Sequence, residues 1–172
     1  MAYQGISPKI AFNVFVAPSA DVIGDIVVAE NSSIWFGVVI RADINEVRIG
    51  KNTNIQDMSM IHVTHYTLED KSDGNATIIG DNVTIGHHVM LHGCKIENAC
   101  LIGMSSTILD GAIIGEESIV GAGSLVTKNK VFPPRSLIMG NPAKFIRELT
   151  TQEVASLYKS ADNYVKFMST YL

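Results

Sequence analysis

Three histidines, His62, His87 and His92, are the residues of this chain whose type and spacing could do chemistry. His62 and His92 lie 30 residues apart, and each directly follows an aliphatic residue, Ile61 or Leu91. A single histidine is more often a hydrogen-bonded structural residue than a ligand. Three histidines at matched positions favour a metal site, because neutral imidazole is a common ligand of Zn²⁺ and Fe²⁺.

The elements that position these histidines follow a six-residue period. An α-helix would repeat its apolar face every three to four residues, and a flat strand would alternate every two. A period of six is typical of a hexapeptide β-helix, in which three short strands make one coil and each strand points one aliphatic side chain into a prism. Steps of six, with one step of five after Leu91, separate Ile79, Ile85, Leu91, Ile96, Ile102, Ile108, Ile114, Val120 and Val126.

The first half of the chain keeps this period less regularly. The polar segment from Arg41 to Arg48 predicts a bulge, and a polar loop replaces the period between His62 and Ala76. Loops of this kind often carry function. The positions that keep the period are Ile23, Ala29, Trp35, Ile49, Ile55 and Ile61.

The sequence predicts an all-β solenoid that ends in one α-helix. Pro133 and Pro134 lack the N–H group that a strand ladder needs, so the solenoid should stop before them. Thr150 and Glu153 have the spacing of a capping box, and an amphipathic pattern follows them. The prediction is a single domain over 1–172, with the β-helix over 11–131, a turn and connector over 132–149, and the helix over 150–171.

The spacing of the histidines predicts how they meet. If the polar loop accounts for about 12 of the 30 residues between His62 and His92, 18 remain, which is one coil of three hexapeptides. The two imidazoles would then stack roughly 4.8 Å apart, close enough to share one ion. His87 lies one strand earlier and about a third of a revolution away, so it cannot reach the same ion. A threefold neighbour would supply it, which predicts a homotrimer with metal sites at its interfaces.

Composition excludes several classes of partner. The net charge is -4 and the basic residues are scattered, so neither a nucleic-acid surface nor a polybasic membrane patch is expected. The sequence has no apolar run of the roughly 20 residues that a membrane helix needs. Met1 to Ile10 lacks the features of a secretion signal, which favours a cytoplasmic location.

Short motifs surround the three histidines. They are Arg41-Ala42-Asp43, then Asn54-Ile55-Gln56-Asp57 followed by His62, then His87 followed by His92. With these motifs, nearly the whole chain resembles the γ-class carbonic anhydrase family of left-handed β-helix proteins. The resemblance implies a left-handed parallel β-helix, a homotrimer, and reversible hydration of CO2 to bicarbonate with Zn²⁺, or alternatively Fe²⁺, as the cofactor.

The resemblance also implies roles for residues around the metal. It implies that Gln56, in the same motif as Asn54, orients the attacking hydroxide. Arg41 and Asp57 would hold the geometry of the subunit interface, where the plain alternative is a surface ion pair. Tyr164 lies close to where the family has a tyrosine that lines the site, although it could serve packing alone.

One departure from the family concerns proton transfer. The best-studied type has a glutamate three residues after the first histidine ligand, where this chain has His65, and a second one where it has Ile44. Either His65 takes over proton transfer, because imidazole titrates near neutral pH, or activity is weak or absent.

Two further readings remain open for the same prism. One is a hexapeptide-repeat acyltransferase or thioester hydrolase, which would not need three convergent histidines. The other is a structural trimer whose metal only fastens the interface. Fold alone does not decide among them.

Overall fold

Short parallel strands wind around a prism along most of the chain. The computed structural model describes residues 1–70 and 72–172, and its described part contains nineteen strands and one helix. The parallel β-helix predicted from the six-residue period is confirmed, and its hand is left-handed, as the resemblance implies.

The strands are mostly two or three residues long, as sharp corners after each hexapeptide require. In chain order they are β1 Lys9–Ile10, β2 Phe15–Val16, β3 Asp21–Val28, β4 Ser33–Ile34, β5 Val39–Ile49, β6 Asn54–Ile55, β7 Met60–His62, β8 Thr77–Ile79, β9 Thr84–Ile85, β10 Met90–His92, β11 Lys95–Ile96, β12 Leu101–Ile102, β13 Thr107–Ile108, β14 Ile113–Ile114, β15 Ile119–Val120, β16 Leu125–Val126, β17 Val131–Phe132, β18 Ser136–Gly140 and β19 Ala143–Glu148. The helix, α1, is Thr151–Met168.

The strands form three faces. The first face contains the start of β5 with β7, β10, β13 and β16. The second contains the end of β5 with β8, β11, β14 and β17. The third contains β2, β4, β6, β9, β12, β15 and β18. Because β5 turns a corner, it belongs to both the first and the second face.

One aliphatic side chain per strand fills the prism. On the first face, Ile61 pairs with Leu91, which pairs in turn with Ile108, and all three are fully buried. Burying each such side chain contributes roughly 1.5–3 kcal/mol relative to leaving it exposed. A one-residue slip would turn these side chains outwards, so the apolar stack fixes the register between coils.

In the first coils the predicted period has the wrong phase. The inward residues are Val22, Val28 and Ile34, each one position before the predicted Ile23, Ala29 and Trp35. Both residues of each pair are apolar, so the period alone did not distinguish them. Trp35 is buried from outside the prism, where it packs with Phe15 and Met168.

The bulge predicted between Arg41 and Arg48 is present. Pairing between β3 and β5 jumps from Gly24 with Ala42 to Ile26 with Val47. The extra residues of β5 lie where the first face turns into the second.

The prediction that the β-helix ends near Val131 is wrong. Leu137 and Ile138 of β18 pair with β15, so the third face gains one more strand after the two prolines. β18 then forms an antiparallel hairpin with β19, where a connector was expected. The prolines occupy a corner between β17 and β18, a place where no ladder hydrogen bond is needed.

Helix α1 packs along the third face. Val154 and Leu157 meet Leu101 and Ile119 near its start, and Met168 reaches Trp35 near its end. The predicted capping box is confirmed, because Thr150 accepts from the Glu153 backbone N–H and the Glu153 carboxylate accepts from the Thr150 backbone. No helix in the described part of the chain is long and apolar enough to span a membrane.

Candidate metal centre

His62 and His92 lie side by side on one edge of the prism. They are register partners in β7 and β10, and their ring nitrogens Nδ1 and Nε2 are 3.1 Å apart. Each follows a residue that is fully buried in the core, Ile61 or Leu91, so each points outwards where the first face turns into the second. The predicted stacking of the two imidazoles is therefore present in one chain.

The other nitrogen of each ring meets a carboxylate. His62 Nε2 lies 3.2 Å from Asp43 Oδ1, and His92 Nδ1 lies 2.5 Å from Asp110 Oδ1. A carboxylate on the far nitrogen fixes the orientation of an imidazole and makes it a better metal ligand. The two facing nitrogens are thus left for an ion.

Each of the two carboxylates, Asp43 and Asp110, also contacts a positively charged side chain. Arg41 Nη1 is 2.5 Å from Asp43, and Lys128 Nζ is 3.0 Å from Asp110. We call this row the double-histidine ladder; in order along the edge it consists of Arg41, Asp43, His62, His92, Asp110 and Lys128.

The electrostatics of the ladder favour a neutral imidazole at His62 and ionised carboxylates at Asp43 and Asp110. Burial lowers the pKa of His62, and the nearby charge of Arg41 lowers it further, against the opposing effect of Asp43. Burial alone would raise the pKa of Asp110, but hydrogen bonds from Thr64, His92 and Lys128 outweigh it and lower this pKa to about 2. A neutral imidazole has the free lone pair that a metal ligand needs.

The two histidines fit a tetrahedral metal ion. Two ligands at ~2.0 Å from Zn²⁺, at a tetrahedral angle, have nitrogens roughly 3.3 Å apart. The 3.1 Å between the two rings is close to that value. The donor set is incomplete in one chain, because the described residues contain no group of three His, Cys, Asp or Glu that could hold an ion.

His87 lies on a different edge of the prism. It follows β9 and precedes β10, so it stands where the third face turns into the first. Its Nδ1 is 2.9 Å from Asp57, which occupies the same edge one coil earlier. Arg41 and Asp57 therefore lie on different edges, and each has another polar partner within the chain, Asp43 for Arg41 and His87 for Asp57.

Gln56 belongs to a buried network beside His87. Its Nε2 donates to Asn54 Oδ1 at 3.1 Å, and Asn54 Nδ2 donates to Thr84 Oγ1 at 3.1 Å. Thr84 and Ser160 of α1 are joined by a further hydrogen bond of 3.1 Å. The carbonyl oxygen of Gln56 faces away from Asn54, and the side chain lines a groove that also contains His87.

Tyr164 lines the same groove from the helix. Its ring makes an edge contact with Trp35 at 5.8 Å between centroids. Burial raises the pKa of Tyr164, and the negative charge of Asp57 raises it further, so the phenol keeps its proton and can donate.

The predicted site residues thus form two groups in one chain. Arg41 lies with His62 and His92, whereas Asn54, Gln56, Asp57 and Tyr164 lie around or next to His87. His65 is exposed in the loop after β7.

The sequence analysis missed two residues of the ladder, Asp110 and Lys128. The five-residue step after Leu91 shortens this coil to 17 residues, because Leu91 pairs with Ile108. The position that continues this register from His92 is therefore Leu109, and Asp110 lies one residue beyond it. From Asp110 to Lys128 the coil again has 18 residues, as the pairing of Ile108 with Val126 shows.

Comparison with known proteins gives matches over nearly the whole chain. A family model described as bacterial transferase hexapeptide (six repeats) matches residues 93–128. The chain is 45% identical over 159 residues to γ carbonic anhydrase 2, mitochondrial, from Arabidopsis thaliana, covering 92% of this chain and 56% of that one. The chain therefore spans little more than half the length of this plant relative.

A bacterial relative and a solved structure are covered almost completely. The chain is 43% identical over 164 residues to a carbonic anhydrase from Geobacillus kaustophilus, covering 95% of this chain and 86% of the relative. A crystal structure of a hexapeptide transferase family protein from Anaplasma phagocytophilum superposes with a TM-score of 0.91 at 39% identity, covering 99% of this chain and 96% of that one.

Proposed function

This chain belongs to the γ carbonic anhydrase family of hexapeptide-repeat proteins, and we propose that it hydrates CO2 reversibly to bicarbonate at metal sites shared between subunits. The observation that carries the proposal is the pair of facing imidazoles, His62 and His92, with His87 on another edge. This arrangement supports a site between two neighbouring subunits, in which one subunit would supply His62 and His92 and the other would supply His87.

His62 and His92 of one subunit and His87 of its neighbour would hold Zn²⁺, or alternatively Fe²⁺. Three neutral imidazoles suit either ion and leave its charge uncompensated. When bound, the ion acts as a Lewis acid that makes water acidic enough to supply hydroxide near neutral pH.

Gln56 orients the nucleophile. Because its Nε2 donates to Asn54, its carbonyl oxygen remains as an acceptor for the hydroxide O–H. Accepting that hydrogen bond would turn an oxygen lone pair towards CO2. Both amides are almost fully buried, so their orientation is held by the network rather than by solvent.

The remaining site residues would act across the interface. Arg41 from one subunit and Asp57 from the next would approach each other when the two edges meet, and their ion pair would align His62 and His92 with the neighbour's His87. Tyr164 would donate a hydrogen bond into the site from the neighbour. The proposal therefore includes a homotrimer. A cytoplasmic location is also part of it, although the Arabidopsis relative is mitochondrial by name.

Metal analysis and a CO2 hydration assay test the proposal together. Protein purified without a histidine tag should contain close to one Zn²⁺ or Fe²⁺ per chain and should accelerate hydration. Bound metal without hydration would favour the structural trimer, and protein that takes up neither ion would contradict the proposed site.

Mixed trimers test the sharing of ligands. His87→Ala and His92→Ala homotrimers should each lose metal and activity. In a mixed trimer, one interface combines intact His62 and His92 from the first variant with intact His87 from the second, so about one site in three should recover. If mixed trimers of verified mass regain nothing, ligands are not shared in this way.

An acyltransferase is the second candidate, because the superposed Anaplasma protein is described as a transferase. We expect no binding of acetyl-coenzyme A, since the chain has no basic cluster for its phosphates. Calorimetry measures this binding directly. Micromolar binding of acetyl-coenzyme A followed by acyl transfer would favour the acyltransferase over the carbonic anhydrase function.

A further inference from the structure

The double-histidine ladder contains a carboxylate to which neither the motifs nor the comparisons assign a role. We propose that Asp110 is a positioning residue for His92, and that Thr64 and Lys128 hold it in place. The inference rests on the proposed metal site and adds to it a residue outside the histidine motifs.

The contacts of Asp110 fit this role. Its Oδ1 accepts from Thr64 Oγ1 at 2.6 Å and lies 2.5 Å from His92 Nδ1, while its Oδ2 meets Lys128 Nζ at 3.0 Å. Three donors from three different coils or loops leave the carboxylate little freedom. Its side chain is 15% exposed, so water competes weakly for these bonds.

The contact decides which nitrogen of His92 can bind metal. An ionised carboxylate is an acceptor only, so Nδ1 of His92 must carry the proton. Nε2 then keeps its lone pair, and Nε2 is the atom that faces His62. Without Asp110 the imidazole could change tautomer or turn about its side-chain bonds, and the two facing nitrogens would no longer be aligned in advance.

The residue after His92 leaves room for this carboxylate. Gly93 has a φ of +55°, and a Cβ there would lie 2.7 Å from Asp110 Oδ1 and 2.8 Å from Thr64 Oγ1. Any side chain at this position would push both partners away from His92. A glycine directly after the ligand is therefore part of the same arrangement.

Zinc affinity tests the proposal without relying on activity. In competition with a chromophoric chelator, Asp110→Ala should bind zinc about 10–100-fold more weakly than the wild type. Asp110→Asn should fall between the two, because its amide oxygen can still accept from Nδ1–H. Lys128→Met should lose about fivefold at most, because its ammonium is exposed.

Asp81→Asn is the matched control. Asp81 also sits at a corner and accepts from the backbone of Lys51, but it touches no histidine. This variant should keep wild-type zinc affinity. The metal-free melting temperature of every variant shows whether it is folded, and the visible spectrum of Co²⁺-loaded protein reports ligand geometry.

The outcomes separate this inference from the proposed function. Wild-type affinity in folded Asp110→Ala, or in Asp110→Asn if the alanine variant does not fold, would overturn the role of Asp110 alone. An equal loss in Asp81→Asn would also overturn it. Zinc binding by the wild type without CO2 hydration would overturn the proposed activity and leave the role of Asp110 standing.

Discussion

Single residues in the double-histidine ladder are held from two directions. Main-chain pairing sets the spacing between His62 and His92, and carboxylates at the far nitrogens set the rotation of the rings. The facing nitrogens need little reorganisation to accept an ion. The entropy cost of fixing these two side chains is therefore largely met during folding and does not weaken metal binding.

The proposed proton carrier, His65, lies outside the ladder. It is exposed in the loop after β7, at the position where the resemblance places a glutamate. His65→Ala should lower kcat in weak buffer by up to about a hundredfold, the low end for general acid–base catalysis, with metal content unchanged.

Added imidazole should restore much of the rate lost in His65→Ala. His88→Asn is a suitable control, because His88 is an exposed corner residue with a φ of 59° that asparagine tolerates. If imidazole leaves the variant's rate unchanged, His65 is not a proton shuttle.

The residues of the site were predictable where the sequence repeats them. His62 and His92 follow inward aliphatics, so their common edge could be read from the period and the loop length. Asp110 was hidden because carboxylates are frequent at polar corners, and only the distance to His92 distinguishes this one. The buried network through Thr84 and Ser160 depends on how α1 docks, which no periodicity contains.

At the scale of elements, the helix start responds to pH through Glu153. Its hydrogen bond with Arg147, followed by that with the Thr150 backbone, lowers the pKa of Glu153 from 4.5 to about 2. The ionised carboxylate therefore stabilises the fold above about pH 4.5, and this contribution disappears as the pH falls towards 2.

Glu153→Gln measures this contribution. Its melting temperature should lie below that of the wild type at pH 6, and the difference should shrink as the pH is lowered from 4.5 towards 2. A difference that stays constant over this range would mean that the ionised carboxylate is not what stabilises the helix start.

Elements were predictable to the extent that local pattern determines them. The capping box and the strands after Ile79 carry their own signals. The phase of the period in the first coils has no such signal. Trp35 is apolar because it packs against the helix, outside the prism, so its hydrophobicity does not show which residue points inwards. The last parallel strand of the β-helix, β18, was not predicted, because the two prolines before it fall at a corner that is visible only in three dimensions.

At the scale of the whole molecule, metal should stabilise the assembly. Ligands from two subunits bind one ion in the proposed trimer, so chelation should loosen the interface. Removing an ion present at 100 times its dissociation constant costs about 2.7 kcal/mol, which lowers the melting temperature of a chain of this size by about 5–10 °C.

Calorimetry with and without chelator measures this shift. His87→Ala, which should start without metal, is the control and should melt at the same temperature in both conditions. An unchanged wild-type melt after verified metal removal would argue against metal as a fastener of the trimer.

The two ends of the loop after β7 are joined by a hydrogen bond, so the loop can change in length without changing the coil that carries it. Thr64 N–H donates to Asn75 O at 2.9 Å, so the chain leaves and rejoins the prism at one point, while His62 and His92 stay paired beneath it. Doubling the length of such a loop costs only about 0.6 kcal/mol in closure entropy. Residues can therefore be inserted or deleted between Thr64 and Asn75 without moving His62 and His92. Residues that carry protons or select substrates could be gained or lost in this loop while the coil beneath it stays in register.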